Sequence, residues 1–297
     1  MGKLKSALIL KDRIFIPDYD SYPDMLEELG INDYFGAFVK AELYPVDNDV
    51  FSDIDNWKFT VNQEITPDWF SEKKYKPKMV KAVKEWAKAH IHIGTIGLKI
   101  ENEKNHYIKD CKNVEIINST VNVRGNSIVT IWGDSAGTVW GTSLVIAMDN
   151  SIVKARGNST VKAKDNSTVK AMDTSTVEAW GNSTVTAMDN STVKAMENST
   201  VEAWGNSIVK ARGNSTVKAK DNSIVEAWGN STVEAWGDAT VTNNPYWAWY
   251  EQHNLILSDN ATFKDKISKV IYQTGDYKLI SVEIGEKIGE LKRNSFI

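Results

Sequence analysis

Apolar and polar residues alternate with a fixed period through the middle of this chain. A serine recurs every eight residues from Ser119 to Ser231, with Ala239 in the final place, and a valine follows two positions after each, from Val121 to Val241, broken only by Gly137. Residues 118–245 hold 16 such octads in unbroken register, with the consensus N-S-T-V-x-A-x-[G/D]. Within an octad Ser, Val and Ala take alternate positions, while Thr and a Lys, Glu or Thr take those between. Period two places one set of side chains on each face of a strand. The inward set is small and mostly apolar. The remaining triplet, as in Trp180-Gly181-Asn182 or Lys164-Asp165-Asn166, holds residues that accept tight-turn dihedrals and predicts a corner. Short strands and corners repeated without long connections predict a β-solenoid, each coil hydrogen-bonded to the next at about 4.8 Å.

The number of octads per coil follows from which outward charges stack. With two octads per coil, Lys162 meets Glu178, Glu178 meets Lys194, Lys210 meets Glu226, and Lys218 lies between Glu202 and Glu234. Only Lys154/Lys170 and Lys194/Lys210 oppose like charges, which is unfavourable at strand spacing. A triangular 24-residue coil of three octads is the alternative. It would stack Trp180, Trp204 and Trp228 over Gly181, Gly205 and Gly229, but would also stack lysine on lysine and glutamate on glutamate. The two-octad coil is favoured, and eight such coils make a rod of about 38 Å.

The flanks have other textures. In residues 1–110, Ala7–Leu10 and Arg13–Ile16 read as short strands and Phe35–Tyr44 and Trp57–Ile65 as longer ones. Ser21 opens a short helix that Gly30 ends, and Lys78–Ala89 is an amphipathic helix with Met79, Val80, Val83, Trp86 and Ala87 on one stripe. This predicts an N-terminal α+β head domain, followed by the solenoid over residues 111–245. Residues 246–297 predict a C-terminal cap that covers the last coil: an aromatic cluster of Tyr246, Trp247, Trp249 and Tyr250, an echo of the octad at Asn260–Lys264, and strands near Lys269–Tyr272 and Tyr277–Ile284.

Two resemblances rest on these residues. The octad, as in Ala203-Trp204-Gly205-Asn206-Ser207-Ile208-Val209-Lys210, resembles the half-repeat of bacterial ice-nucleation proteins, which implies a solenoid of 16-residue coils. Ice binding needs outward Thr-x-Thr rows, and here that pattern survives only at Thr184/Thr186 and Thr240/Thr242. In the head, Trp57–Glu64, Pro67-Asp68-Trp69-Phe70 and Glu85–His90 are similar to uncharacterised bacteriophage and mobile-element proteins that carry octapeptide repeats. That resemblance implies a bacterial, intracellular setting and no particular activity.

Composition narrows the chemistry. The net charge is −4, with 35 basic and 39 acidic side chains, and residues 118–245 carry 11 basic against 12 acidic side chains. Net charge therefore argues against a nucleic-acid face. No stretch reaches the length of a membrane helix or of a signal-peptide core, although Met1-Gly2-Lys3-Leu4-Lys5-Ser6 fits the loose myristoylation pattern. Nine Asn-x-Thr triplets read as by-products of the repeat. Cys111, the single cysteine, excludes an internal disulfide and reads as a half-buried structural thiol. Of the four histidines only His90 and His92 are close enough in sequence to share a metal, with Glu85 as a third candidate, and His-x-His alone is weak evidence. The Asp-Asn corners lack the Gly-Gly-x-Gly-x-Asp frame of calcium-binding β-rolls. No catalytic residue, cofactor site or metal site is assigned.

Tryptophan is the outlier, at 11 residues. Six of them, Trp132, Trp140, Trp180, Trp204, Trp228 and Trp236, share the octad's corner position with Arg156 and Arg212. Trp and Arg are types enriched at interfaces, so a continuous corner edge, extended by Tyr246, Trp247, Trp249 and Tyr250, is the candidate interaction surface. The simpler reading is that each indole shields the turn beside it. The expected role is a non-enzymatic structural or protein-interaction protein of a phage or mobile element, binding a host or phage protein or assembling with itself. It would work in the cytoplasm of the bacterial host or on the virion. The alternatives are a head domain that is an enzyme or ligand-binding module positioned by the solenoid, and nucleic-acid binding.

Overall fold

The computed structural model describes residues 5–32, 36–243, 254–265, 270–273, 280–283 and 292–295. The chain forms two compact units, residues 1–94 with 104–109 and residues 95–103 with 110–297.

In the first unit Lys5–Leu10 pairs antiparallel with Ile14–Phe15 on one side and Phe38–Tyr44 on the other, and Lys58–Val61 completes a four-stranded sheet. Helix α1 (Tyr22–Glu28) starts at Ser21, whose hydroxyl accepts from the Asp24 backbone, and Pro23 sits in its first turn. Helix α2 spans Glu72–His90 and begins a turn and a half before the expected Lys78. Pro77 lies early in the helix, where its missing N–H removes one bond. Tyr75 holds that first turn in place: it is 1% exposed, stacks on Phe70 at 5.6 Å, and donates its hydroxyl to the Lys11 carbonyl at 3.0 Å. The core of this unit joins Ile9, Val39 and Leu43 of the sheet to Tyr75, Met79 and Val83 of α2.

The second unit is a parallel β-solenoid with two octads per coil. Each octad supplies one strand, and residue i pairs with i+16, so alternate octads build two sheets. The expected stacks are present: Lys162 is 4.0 Å and Lys194 3.0 Å from Glu178, and Lys210 is 3.6 Å from Glu226. The expected like pairs Lys154/Lys170 and Lys194/Lys210 are also in register. The 24-residue coil is thereby excluded. Coils begin before the octads are legible. Lys99–Glu101 already pairs in parallel with Val114–Ile117, which pairs with Ile128–Trp132. Cys111 stands where the octad has serine and is wholly buried rather than half-buried.

Inside the coils, the octad Ser, Val and Ala positions are closed to solvent, and Val145 through Val217 are all at 0% exposure. Full burial of one valine stabilises by about 1.5–3 kcal/mol, so the stacked rows dominate the array's stability. The one missing valine is compensated across the interior. Ile131 stands where the octad has alanine, and a Cβ added to Gly137 would lie 2.7 Å from its Cδ1. Gly137→Val is therefore expected to cost about 1–3 kcal/mol by overpacking. Adding Ile131→Ala should recover most of that loss, which paired unfolding curves would show as a coupling energy.

Near the C-terminus the ladder runs on to Asn254–Leu257 and Thr262–Asp265. There the direction changes. Val270–Gln273 pairs antiparallel with Thr262–Asp265, Ile280–Glu283 with Asn254–Leu257, and Lys292–Ser295 with Ile280–Glu283. These strands occupy the backbone edges that the last parallel strands would otherwise leave open. The aromatic cluster Tyr246, Trp247, Trp249 and Tyr250 lies outside the described residues.

Candidate interaction surface

Each corner is built from the last residues of one octad and the first of the next. The eighth position takes positive φ in every coil, as in Asp165 (φ 56°), Gly181 (φ 64°) and Glu197 (φ 57°). Glycine adopts this freely and aspartate tolerates it. Aspartate adds something glycine cannot. Its carboxylate accepts the backbone N–H of the corner one coil earlier: Gly133 donates to Asp149 at 2.9 Å, Gly157 to Asp173 at 2.9 Å and Gly205 to Asp221 at 3.0 Å. Glu197 serves Gly181 in the same way at 2.7 Å. This carboxylate ladder gives the acidic corners a structural use in joining successive coils. The signal was available in sequence, because an acidic residue stands 16 positions after Gly133, Gly157, Gly181 and Gly205.

The residue just before this turn is the one that carries the tryptophans. Because each coil takes two octads, this position divides into two rows. One holds Arg124, Trp140, Arg156, Met172, Met188, Trp204, Lys220 and Trp236, and the other Trp132, Met148, Lys164, Trp180, Met196, Arg212 and Trp228. The expected single edge is thus two edges, and no two of these indoles stack in successive coils. Cations and methionines take the places between them. The Arg156 guanidinium lies 4.8 Å from the Trp140 ring, Arg212 3.7 Å from Trp228, and the Lys220 ammonium 3.8 Å from Trp204 and 5.8 Å from Trp236. Each such pair contributes about 0.5–1 kcal/mol at an exposed site. Trp132, Trp140 and Trp180 keep 37–38% of their surface exposed. Trp204, Trp228 and Trp236 are half-buried.

The strand faces between the corners carry the Thr and Lys/Glu positions. Thr168, Thr184, Thr200, Thr216 and Thr232 form one row on a single sheet. Thr184/Thr186 and Thr240/Thr242 fall on opposite sheets, so they do not build the double threonine row that ice binding needs.

The histidines of the first unit gather differently from the expectation. His90 has both ring nitrogens against oxygen, Nδ1 at 2.8 Å from the Trp86 carbonyl and Nε2 at 2.9 Å from the Asp18 carboxylate. Neither nitrogen is left to offer a lone pair to a metal. His92 meets His106 instead, Nε2 to Nδ1 at 3.2 Å. Trp86, His90, His106 and His92 stack in that order with centroids 4.6, 4.9 and 5.5 Å apart. Sequence spacing missed His106, because only a parallel strand pair brings it beside His92. Glu85 is bound to Lys88 at 2.8 Å, which holds its carboxyl below the usual range. Lys5 lies over Trp86 at 4.9 Å and is pulled below the ordinary lysine value by burial, partly offset by Asp20. Among the described residues no three His, Cys, Asp or Glu side chains are placed to hold a metal ion.

A second polar cluster surrounds Glu42, which is 7% exposed. Its carboxylate accepts from the Tyr22 hydroxyl at 3.2 Å, from Asn62 at 3.0 Å and from Tyr44. With three donors the buried charge is satisfied, and burial and Glu42 together push the Tyr22 hydroxyl well above its usual value. No helix of the described residues is long and apolar enough to cross a membrane. No family model matches the chain, and no curated protein or solved structure is significantly similar to it.

Proposed function

We propose that this is a non-enzymatic scaffold or protein-interaction component of a bacteriophage or related mobile element. In this reading the solenoid corners bind a host or phage protein, in the bacterial cytoplasm or on the virion. The observation that carries the reading is the corner position itself. The turn accepts Met at 148, 172, 188 and 196, Lys at 164 and 220 and Arg at 124, 156 and 212, so nothing in the backbone demands an indole. Six tryptophans placed where smaller or charged residues fold equally well suggest a use outside the fold. The phage setting rests on the resemblance of the head segments Trp57–Glu64 and Glu85–His90 to octapeptide-repeat proteins of mobile elements.

The test is capture of partners from a bacterial lysate by the tagged full chain, compared with a variant in which Trp132, Trp140, Trp180, Trp204, Trp228 and Trp236 are all replaced by Met. A central interfacial tryptophan contributes about 2 kcal/mol or more, so the variant should bind the captured protein at least about 30-fold more weakly. Equal capture by the two chains would remove the corners as the binding surface.

A further inference from the structure

One face of the solenoid departs from the repeat in a way the fold does not require. On the sheet containing Val114–Ile117, Ile128–Trp132 and Leu144–Ala147, the outward positions are Glu115, Ile117, Ile128, Thr130, Trp132, Leu144, Ile146 and Met148, six of them apolar. Later octads place Thr or Ile and then Lys, Glu or Thr at the strand positions; on this same sheet Ile208 and Ile224 stand at the first of these, 38% and 43% exposed, each with a Lys or Glu at the second. Thr160 and Lys162 follow Leu144 and Ile146 in the next coil of the same sheet, and Thr176 and Glu178 follow them. Ile128 is 37% and Trp132 38% exposed, while Ile117, Leu144, Ile146 and Met148 are half-buried. An apolar patch on a flat sheet, bounded by charge, marks an interaction site.

The boundary charges say what covers it. Reading along one outward row gives Lys99, Glu115, Thr130, Ile146, Lys162 and Glu178, one residue per coil. This order is complementary to its own reverse. Turn a second copy about a two-fold axis that lies in the interface, parallel to the strands, between Ile128–Trp132 and Leu144–Ala147. Thr130 then faces Ile146 of the second copy, Glu115 faces Lys162, and Lys99 faces Glu178. In the adjoining rows Ile128 faces Leu144, and Trp132 faces Met148. Each contact occurs twice, as an isologous interface requires. Within its own chain Glu115 stands in register beside Lys99, whose charge it favours, and it is exposed to a facing copy. We propose that the protein forms an antiparallel, face-to-face dimer through this patch. The proposal rests on the scaffold reading only in making the solenoid surface the working part.

The size fits a reversible dimer. Six strands at about 4.8 Å spacing and five residues at about 3.3 Å cover about 500 Å² per copy. About 1,000 Å² in total stands at the lower limit for a specific interface. Aligned packing of two twisted sheets confines contact to these central coils.

Sedimentation equilibrium of the full chain over about 1–100 μM tests this. The expected result is a concentration-dependent rise from 33.2 kDa toward twice that mass. Ile146→Lys restores the residue type that the repeat uses at this position, so it should fold, and it should weaken dimerisation at least 10-fold. Glu115→Lys and Lys162→Glu should each weaken the homodimer, whereas an equimolar mixture of the two should recover it, because each altered residue then meets an opposite charge. A monomer at 100 μM overturns the proposal, as does a dimer indifferent to Ile146→Lys or a mixture that fails to recover. None of those outcomes touches the lysate capture that tests the corner reading, so the two fail separately.

Discussion

Val177→Asp is expected to unfold the central coils, with a loss of at least about 4 kcal/mol, whereas Thr176→Asp beside it changes stability by no more than about 0.5 kcal/mol. The two positions differ only in the direction they face. Val177 is at 0% exposure, between Val161 and Val193 of the neighbouring coils, in an interior of valine, alanine and serine. A carboxylate there finds no cation. Thr176 points outward between Thr160 and Thr192, where water reaches it. Denaturant titration of both variants checks the contrast. Similar losses at the two sites would contradict the assignment of inward and outward faces.

Gly141→Val is the second large effect, expected to cost at least about 3 kcal/mol. The backbone at Gly141 has φ 81°, and a Cβ there would stand 2.8 Å from the carbonyl oxygen of Gly125 in the coil below. That contact is with backbone, so no rotamer change relieves it, and a β-branched residue adds strain at positive φ. Gly205→Asn is the matched control. Its added Cβ would lie 3.3 Å from the Asp189 backbone, and asparagine tolerates the left-handed region, so the expected cost is below about 1 kcal/mol. Melting temperatures of the two variants test whether close stacking of corner backbone, rather than glycine content, limits substitution.

Most of the solenoid was legible because its chemistry repeats. An eight-residue period in Ser and Val cannot arise from a globular core, and the Lys162/Glu178/Lys194 stack distinguished two-octad coils from three-octad coils through electrostatics alone. What escaped was whatever depended on a neighbour far along the chain. The carboxylate of Asp149 looks like one more turn residue until Gly133 is known to sit one coil below it. Gly137 reads as a defect until Ile131 fills the space opposite. His106 has no sequence relation to His92, and the degenerate coil at Lys99–Glu101 carries backbone pairing without the octad. The first turns of α2 escaped too, because the buried ring of Tyr75 that fixes them packs on Phe70 and bonds to Lys11, residues outside the helix.

The corner rows show why the seventh position can vary without changing the shape of the coils. Inward serine, valine and alanine hold the coils, the eighth position sets the turn, and the seventh only lies across it. The arginines and lysines that flank Trp140, Trp204 and Trp228 hold those rings in place at a modest gain each. Rings held in this way present apolar area without the entropy cost of ordering a flexible side chain on binding.

Thermal unfolding of the variant with all six corner tryptophans replaced by Met tests this separation most directly. If the indoles are spare to the fold, each half-exposed ring contributes about 0.5 kcal/mol, and the variant melts cooperatively no more than about 10 °C below the parent. A variant that has lost its β-structure at 25 °C, or melts more than about 20 °C lower, would show that the rings shield the sheet edges and would contradict the account.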